Sequence, residues 1–243
     1  MPGSQLPRSR RRWWQQGGRL SGDFFRGPSS LLAHGAAIPI PPISGFLDYE
    51  AELALVIGKT TRNVSEADAL DAVFGYACFN DATFRDYQRK TSQWTVGKNF
   101  DKTGGFGPYL VTADELPPGC KGLHIESRLN GRVMQSASTT DMVFHVAPTI
   151  AMMSACMTLE PGDVIVMGTP AGVGYARKPP VWMVEGDIIE IDIQGMGFWS
   201  TPSNARVWLT WLALPPPRRC PPAARIIWRL QGLRWPLFQP TEN

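Results

Sequence analysis

Residues 47–58 read LDYEAELALVIG, an apolar run that carries two acids, Glu50 and Glu52, two positions apart. Such a run predicts a strand, in which side chains two apart leave the same face with Cα atoms roughly 6.5 Å from each other. Two carboxylates side by side among Leu, Val and Ile are costly unless positive charge joins them. A divalent cation meets that need. A second apolar run, VFGYACFND, ends on Asp81, a third oxygen donor. Oxygen-only donors suit a hard ion, Mg²⁺ or Mn²⁺ with Ca²⁺ as a further option, rather than zinc. The plain alternative is a pair of solvated carboxylates on an edge strand, the commoner fate of an isolated Glu-x-Glu.

The remaining pattern is that of a mainly β chain with some α. Residues 23–46 are rich in Pro and Gly and predict an extended lead-in, a loop at His34-Gly35 and a short edge strand near Ile38 to Ile40. Ser65 with Asp68 three later has the form of a capping box, predicting a short helix that runs into a strand from Val73 to Phe79, closed by Asn80-Asp81. Residues 83–89 predict a helical turn, on which Asp81, Arg85 and Gln88, at spacings of four and three, would share a face. Lys98 is expected in a loop between glycines, followed by a strand from Pro108 to Val111.

Asn130-Gly131, inside an alternating segment, predicts a two-residue hairpin turn. Residues 141–157 predict an amphipathic helix whose stripe is Val143, Val146, Ile150, Met153 and Met157, core rather than ligand box. Pro161-Gly162 turns the chain into a strand from Val164 to Met167. The MGTPAGVG loop after it places Thr169 and backbone amides where they can donate to an oxyanion. GGFG at 104–107 lacks the GK[ST] of a phosphate-binding loop.

Charge divides the chain in three. Residues 23–200 hold 13 Lys and Arg against 20 Asp and Glu, whereas residues 1–22 hold five Arg and no acid, and residues 201–243 six Arg and one Glu. The overall +3 therefore hides an acidic middle. The basic first segment reads as disordered, and the Pro-, Arg- and Trp-rich last one as lacking a stable fold. A nucleic-acid binder would carry its basic surface on the folded domain, so that role is left to the two ends as an alternative. No apolar run reaches 18 residues, the length a membrane helix needs. The four cysteines have no CxxC spacing, which points to reduced thiols and a cytoplasmic protein, or a mitochondrial one if the source is eukaryotic.

The segments FFRGPSSL, LDYEAELALVIGK, FGYACFNDATFRDYQ, QWTVGKNFDKTGGFGPYLVT, RLNGRVMQSAST, LEPGDVIVMGTPAGVG and GDIIEIDIQGMG together resemble, in order, the fumarylacetoacetate hydrolase family, including its 2-hydroxyhepta-2,4-diene-1,7-dioate isomerase and acylpyruvase branches. The resemblance implies a mixed β-sandwich and β-roll, a homodimer, and Mg²⁺ or Mn²⁺ on Glu50, Glu52 and Asp81. It also implies substrate contacts from Arg85 and Gln88, and active-site roles for Lys98 and Thr169. The expected chemistry is hydrolysis of a carbon–carbon bond, decarboxylation or isomerisation of a small 2-oxo acid or its enol, through an enolate stabilised by the metal.

Two departures stand out. The family's lid His-Glu pair has no counterpart before Asp23, and the lysine of its FxKP stretch is expected to fall on Gly27. Near the end, GMGFWSTPSNARV replaces the family's closing glycine turn and strand. Altered ends and a catalytically impaired, metal-binding member of the family are the alternatives these departures suggest.

Overall fold

The structure is a computed structural model that describes residues 24–204. The expectations for residues 1–22 and for the stretch after 204 fall outside them. In chain order the strands are β1 (Leu31–Ala33), β2 (Ile38–Pro39), β3 (Leu47–Asp48), β4 (Ala51–Ile57), β5 (Val73–Asp81), β6 (Thr83–Phe84), β7 (Gly104–Thr112), β8 (His124–Leu129), β9 (Arg132–Ser138), β10 (Val164–Val166), β11 (Ile188–Ile193) and β12 (Gly197–Asn204). Three α-helical pieces accompany them: α1 (Arg85–Gln88), α2 (Thr95–Lys98) and α3 (Val146–Cys156).

Ten of these strands form two five-stranded sheets, ordered β1-β7-β5-β4-β10 and β2-β12-β11-β8-β9, and β3 pairs with β6 in a small separate ribbon. Pairing is antiparallel except at one edge of each sheet, where β1 runs parallel to β7 and β2 parallel to β12. The mainly β fold expected from the pattern is observed, in the mixed sandwich and roll that the resemblance implies.

Strand β4 is buried along its whole length. Its Leu53, Leu55 and Ile57 join the main core with Ile125, Leu129, Ile189, Ile191 and Ile193 of the second sheet. Full burial of each such side chain contributes roughly 1.5–3 kcal/mol. Ala54 and Val56 point the other way and pack with Phe79, Val164 and Val166, under Phe24, Leu31 and Phe106. Glu52 has the same parity as Ala54 and Val56, and Asp81 the same parity as Phe79. The acids therefore emerge at the end of this second, lead-in-covered face rather than between the sheets. Trp199 of β12 is the largest side chain sealed between the sheets, and it lies so close to β7 that a Cβ on Gly105 would sit 2.1 Å from Trp199 Cζ2.

Several local expectations hold. Asn130 and Gly131, both with positive φ, close the β8–β9 hairpin. His34 sits at the Gly35 turn and its Nδ1 accepts from Ser200 N at 3.0 Å. Others are corrected. The helix expected over 141–157 begins only at Val146, and Val143 is 85% exposed. Pro148 explains the late start, since a proline fits the first helical turn but clashes with a turn already formed before it. Ser65 and Asp68 do bond each other, yet the chain then makes only a single 3₁₀ turn, Ala69–Ala72, because Val73 already opens β5.

Asp81 closes β5 as expected, so it does not share a helical face with Arg85 and Gln88 of α1, and Lys98 ends the short helix α2 rather than sitting in a loop. Strand β7 starts at Gly104, four residues before the expected Pro108, and β12 continues to Asn204, beyond the boundary expected at 200. Strand β1 was not anticipated: three residues give too short a pattern to read. Among the described residues no helix is long and apolar enough to cross a membrane.

Candidate active site

The junction of β4 and β5 brings three acids together. Asp81 N donates to Glu50 O at 2.9 Å and Glu50 N to Asn80 Oδ1 at 3.1 Å, which locks the start of β4 beside the end of β5. Glu50, Glu52 and Asp81 are all buried, and each offers a carboxylate oxygen within 4.8 Å of the others.

Three cations reach into the same space. Lys98 Nζ, 1% exposed, lies 2.7 Å from Glu50 Oε2 and also bonds Asp81 Oδ2. Arg85 places one terminal nitrogen 2.6 Å from Glu50 Oε1 and its Nε 2.8 Å from Asp48 Oδ2. Arg26, fully buried, donates from Nε to Asp81 Oδ1 at 2.7 Å and from its terminal nitrogens to Thr103 Oγ1 and Ala82 O. The lead-in thus supplies its charge from Arg26, beside the Gly27 where a missing lysine had been expected.

Gln88 joins through its amide oxygen, which accepts from Arg85 at 3.0 Å. Its position depends on a close approach of α2 to α1: a Cβ on Gly97 would lie 2.4 Å from Gln88 N. The same approach carries Lys98 inward.

Thr169, expected as an oxyanion donor, lies beside the acids and is tied to both Ala51 and Gln135. Its hydroxyl donates to Ala51 O at 2.9 Å and accepts from Gln135 Nε2 at 2.8 Å. The amide of Gly168 donates to Glu52 Oε2 at 2.7 Å. The 168–169 segment therefore anchors β4 and orients Glu52.

Sequence reading missed Arg26, Asp48 and Gln135. Asp48 accepts from Gly174 N at 2.7 Å and Tyr175 N at 3.0 Å while holding Arg85, so it ties the glycine-rich loop to the guanidinium. Gln135, from the second sheet, accepts from Ala51 N and donates to Thr169 and Pro170. The signal for Asp48 lay in the LDYE run itself, as a third acid at the same period-2 parity as Glu50 and Glu52. Nothing in the sequence alone pointed Arg26 at Asp81, fifty-five residues away.

The charges do not balance. Four buried acids, Asp48, Glu50, Glu52 and Asp81, face three buried cations, Arg26, Arg85 and Lys98. Asp48, Glu50 and Asp81 each have a cationic partner. Among the described residues Glu52 has none within ion-pair distance; its carboxylate meets the Gly168 amide alone. Burial, reinforced by the charges of Asp81 and Glu50, pushes the Glu52 carboxyl well above its usual range. Burial acts the same way on Asp81, but Lys98 and Arg26 outweigh it and hold that carboxyl below its usual range. An unmatched buried carboxylate, converging with two others in an all-oxygen set, fits a hard divalent ion.

Residues 14–202 match the family profile for the fumarylacetoacetate (FAA) hydrolase C-terminal domain. An oxaloacetate tautomerase, mitochondrial, of Xenopus laevis is 43% identical over 181 residues, 74% of this chain and 56% of that protein. An uncharacterized protein of Archaeoglobus fulgidus is 41% identical over 72% of this chain and 65% of its own length. The match thus covers less than two thirds of either relative.

Among solved structures, a fumarylacetoacetate hydrolase from Exiguobacterium antarcticum superposes with a TM-score of 0.72 at 42% identity, covering 75% of this chain and 66% of that one. A 2-hydroxyhepta-2,4-diene-1,7-dioate isomerase from Mycobacterium marinum does so with a TM-score of 0.68 at 36% identity, covering 74% and 68%. The named relatives are hydrolases, isomerases and tautomerases. With that match extending over most of its length, the chain belongs to the fumarylacetoacetate hydrolase family.

Proposed function

We propose that this protein catalyses proton transfers on small 2-oxo acids and their enols, as a keto–enol tautomerase or double-bond isomerase dependent on Mg²⁺ or Mn²⁺. The observation that carries the reading is the buried triad of Glu50, Glu52 and Asp81, with Glu52 unmatched by any described cation. These three would hold the metal, which when bound supplies Lewis-acid polarisation of the 2-oxo group.

The chain's own groups do the rest. Arg85 has one terminal nitrogen whose hydrogens find no aligned acceptor, although Asp48 lies beside it. It offers a charge-assisted contact to the substrate carboxylate. Gln88, its amide oxygen committed to Arg85, turns its NH₂ end to the ligand. In the enol-to-keto direction Lys98 delivers a proton to C3 while the enol oxygen passes its own to solvent water, from which the neutral Lys98 amine is then reprotonated. The C2=C3 π pair becomes the new C–H bond, and the O–H pair becomes the carbonyl π bond. Lys98 takes the proton back in reverse.

Carbon–carbon hydrolysis would also need a base to activate water. Of the three histidines, His34 bonds Ser200, His124 pairs with Ser136, and His145 precedes α3. Among the described residues none belongs to the acid cluster, and the tautomerase and isomerase named among the relatives support the proton-transfer branch. We take the native form as a homodimer in a reducing compartment, the latter supported by the free, buried Cys78 and Cys120.

The test is the decay of the enol absorbance of oxaloacetate with added Mn²⁺. Wild-type protein should accelerate it, and Lys98→Met and Glu52→Gln should each remove at least 100-fold of the effect, the lower end of what a positioned proton donor supplies. No acceleration at any Mn²⁺ concentration would overturn the assignment.

A further inference from the structure

We infer that Arg89, stacked on Tyr175 at the mouth of the site, grips a second anionic group on the substrate and so selects diacids over 2-oxo acids with apolar tails. This rests on the reading of the acid triad as the metal and 2-oxo-acid site.

The guanidinium carbon of Arg89 lies 4.1 Å from the centroid of the Tyr175 ring, and that of Arg85 lies 5.3 Å from the same centroid. The two guanidinium carbons are therefore within roughly 9.4 Å of each other, the sum of those distances. Arg85 has its charge answered by Asp48 and Glu50. Arg89, at the C-terminal cap of α1, has no carboxylate within ion-pair distance among the described residues. The nearby acid on its own helix, Asp86, is held by the Ser44 hydroxyl at 2.7 Å.

A second cation brought onto the ring that Arg85 already approaches gains cation–π attraction but adds repulsion between like charges. An anion placed between them removes the repulsion. Stacking also fixes the guanidinium plane, so less freedom is lost when it binds a carboxylate.

The groups form a graded path out of the cluster. Glu50 and Arg85 are each 6% exposed, Tyr175 is 36% exposed, and Arg89 is open to solvent. Asp48 fixes the direction of this path, because the carboxylate that orients Arg85 also accepts from the Tyr175 backbone amide. A ligand whose 2-oxo-acid end occupies the acid triad and whose other end runs along this wall meets Arg89. A methyl-ended tail would meet a charge that it cannot satisfy.

The test compares two six-carbon acids, 2-oxoadipate and 2-oxohexanoate, which differ by a carboxyl against a methyl at the far end. Oxalate, which has no tail, reports on the centre alone. Each is titrated calorimetrically into the full chain loaded with Mn²⁺. Wild type should prefer the diacid, and Arg89→Met should reduce that preference about three- to tenfold, in line with a partly exposed charge-assisted contact. Arg89→Lys should restore part of it. Lys121→Met, a distant exposed charge, should leave it alone.

An unchanged preference in Arg89→Met overturns the role of Arg89, as does equal binding of the two acids by wild type while oxalate still binds. Failure of both Mn²⁺ and oxalate to bind instead overturns the reading of the triad, and the inference with it.

Discussion

Arg26 and Asp81 form a fully buried ion pair, with Nε 2.7 Å from Oδ1, that joins the extended lead-in to the end of the central strand β5. Because Arg26 occupies Oδ1, Asp81 turns Oδ2 toward Lys98 and the other acids. Removing one member of a buried pair strands the other, which typically costs about 3–5 kcal/mol. Arg26→Met should therefore lower unfolding stability by about that amount in urea titrations, with Arg26→Lys losing less. A loss below about 1 kcal/mol, the value of an exposed pair, would show that the lead-in is not held by this contact.

Glu52 makes the pH dependence of the metal-free protein asymmetric. A carboxyl raised in the fold favours folding when protonated. Its stabilising contribution is complete below the unfolded value, about 4.3, and is lost as pH rises through the raised value. Asp81, lowered in the fold, acts with the opposite sign: its contribution is present above the unfolded value and disappears as pH falls through the lowered one. Glu52→Gln should thus flatten the loss of stability at rising pH without altering the acid limb. Thermal melts across pH, without metal, read both limbs.

The same carboxyl must be ionised to ligate, so Mn²⁺ affinity should increase with pH across the range in which Glu52 gives up its proton. Calorimetry in buffers of different ionisation heat should detect protons released on binding by wild type and no measurable Mn²⁺ binding by Glu52→Gln. Equal binding by both proteins would remove Glu52 from the ligand set.

The sequence displayed the acids more clearly than their partners. Glu50 and Glu52 announce themselves by a period-2 spacing in an apolar run, and Asp81 by ending the next one. Strand geometry then needs only adjacent pairing of β4 and β5 to bring the three together. Arg26 and Gln135 carry no such local mark, since each reaches the cluster through tertiary packing between distant segments. The course of β4 was legible, but which of its faces was the main core was not, because both are buried. The late start of α3 could have been read from Pro148; the apolar stripe drew the boundary too early. The contact of Thr169 with Ala51 O was not legible, for nothing local in the sequence pairs the two.

Gly97 supplies a steric test of how Lys98 and Gln88 are positioned. A methyl group there would meet Gln88 N at 2.4 Å, and its Cα at 2.6 Å, so α2 must move away from α1. Gly97→Ala should cost about 1–3 kcal/mol of stability, as overpacking does. It should also reduce turnover more than substrate binding, since Lys98 moves with α2. Gly45→Ala is the control: nothing lies within 4 Å of a Cβ at that position, and the variant should be neutral to slightly stabilising. Equal behaviour of the two variants in urea titration and steady-state kinetics would mean that α2 is not held by this approach.

Thiol reactivity tests the packing around the sheets independently of any ligand. Cys78 and Cys120 are fully buried, and burial pushes both thiols up to about 12. At pH 8 roughly one thiol in ten thousand at either position would be the reactive thiolate, and the reagent would also have to enter the core. Cys156, at the exposed end of α3, lacks that protection. Iodoacetamide at pH 8, with peptide mapping of the product, should modify Cys156 well before Cys78 or Cys120. The two buried sites should become reactive only at denaturant concentrations that unfold the sheets. Early modification of Cys78 would show that β5 and β12 separate in the native state, contrary to the contact between Cys78 Sγ and Gly197 O at 3.4 Å.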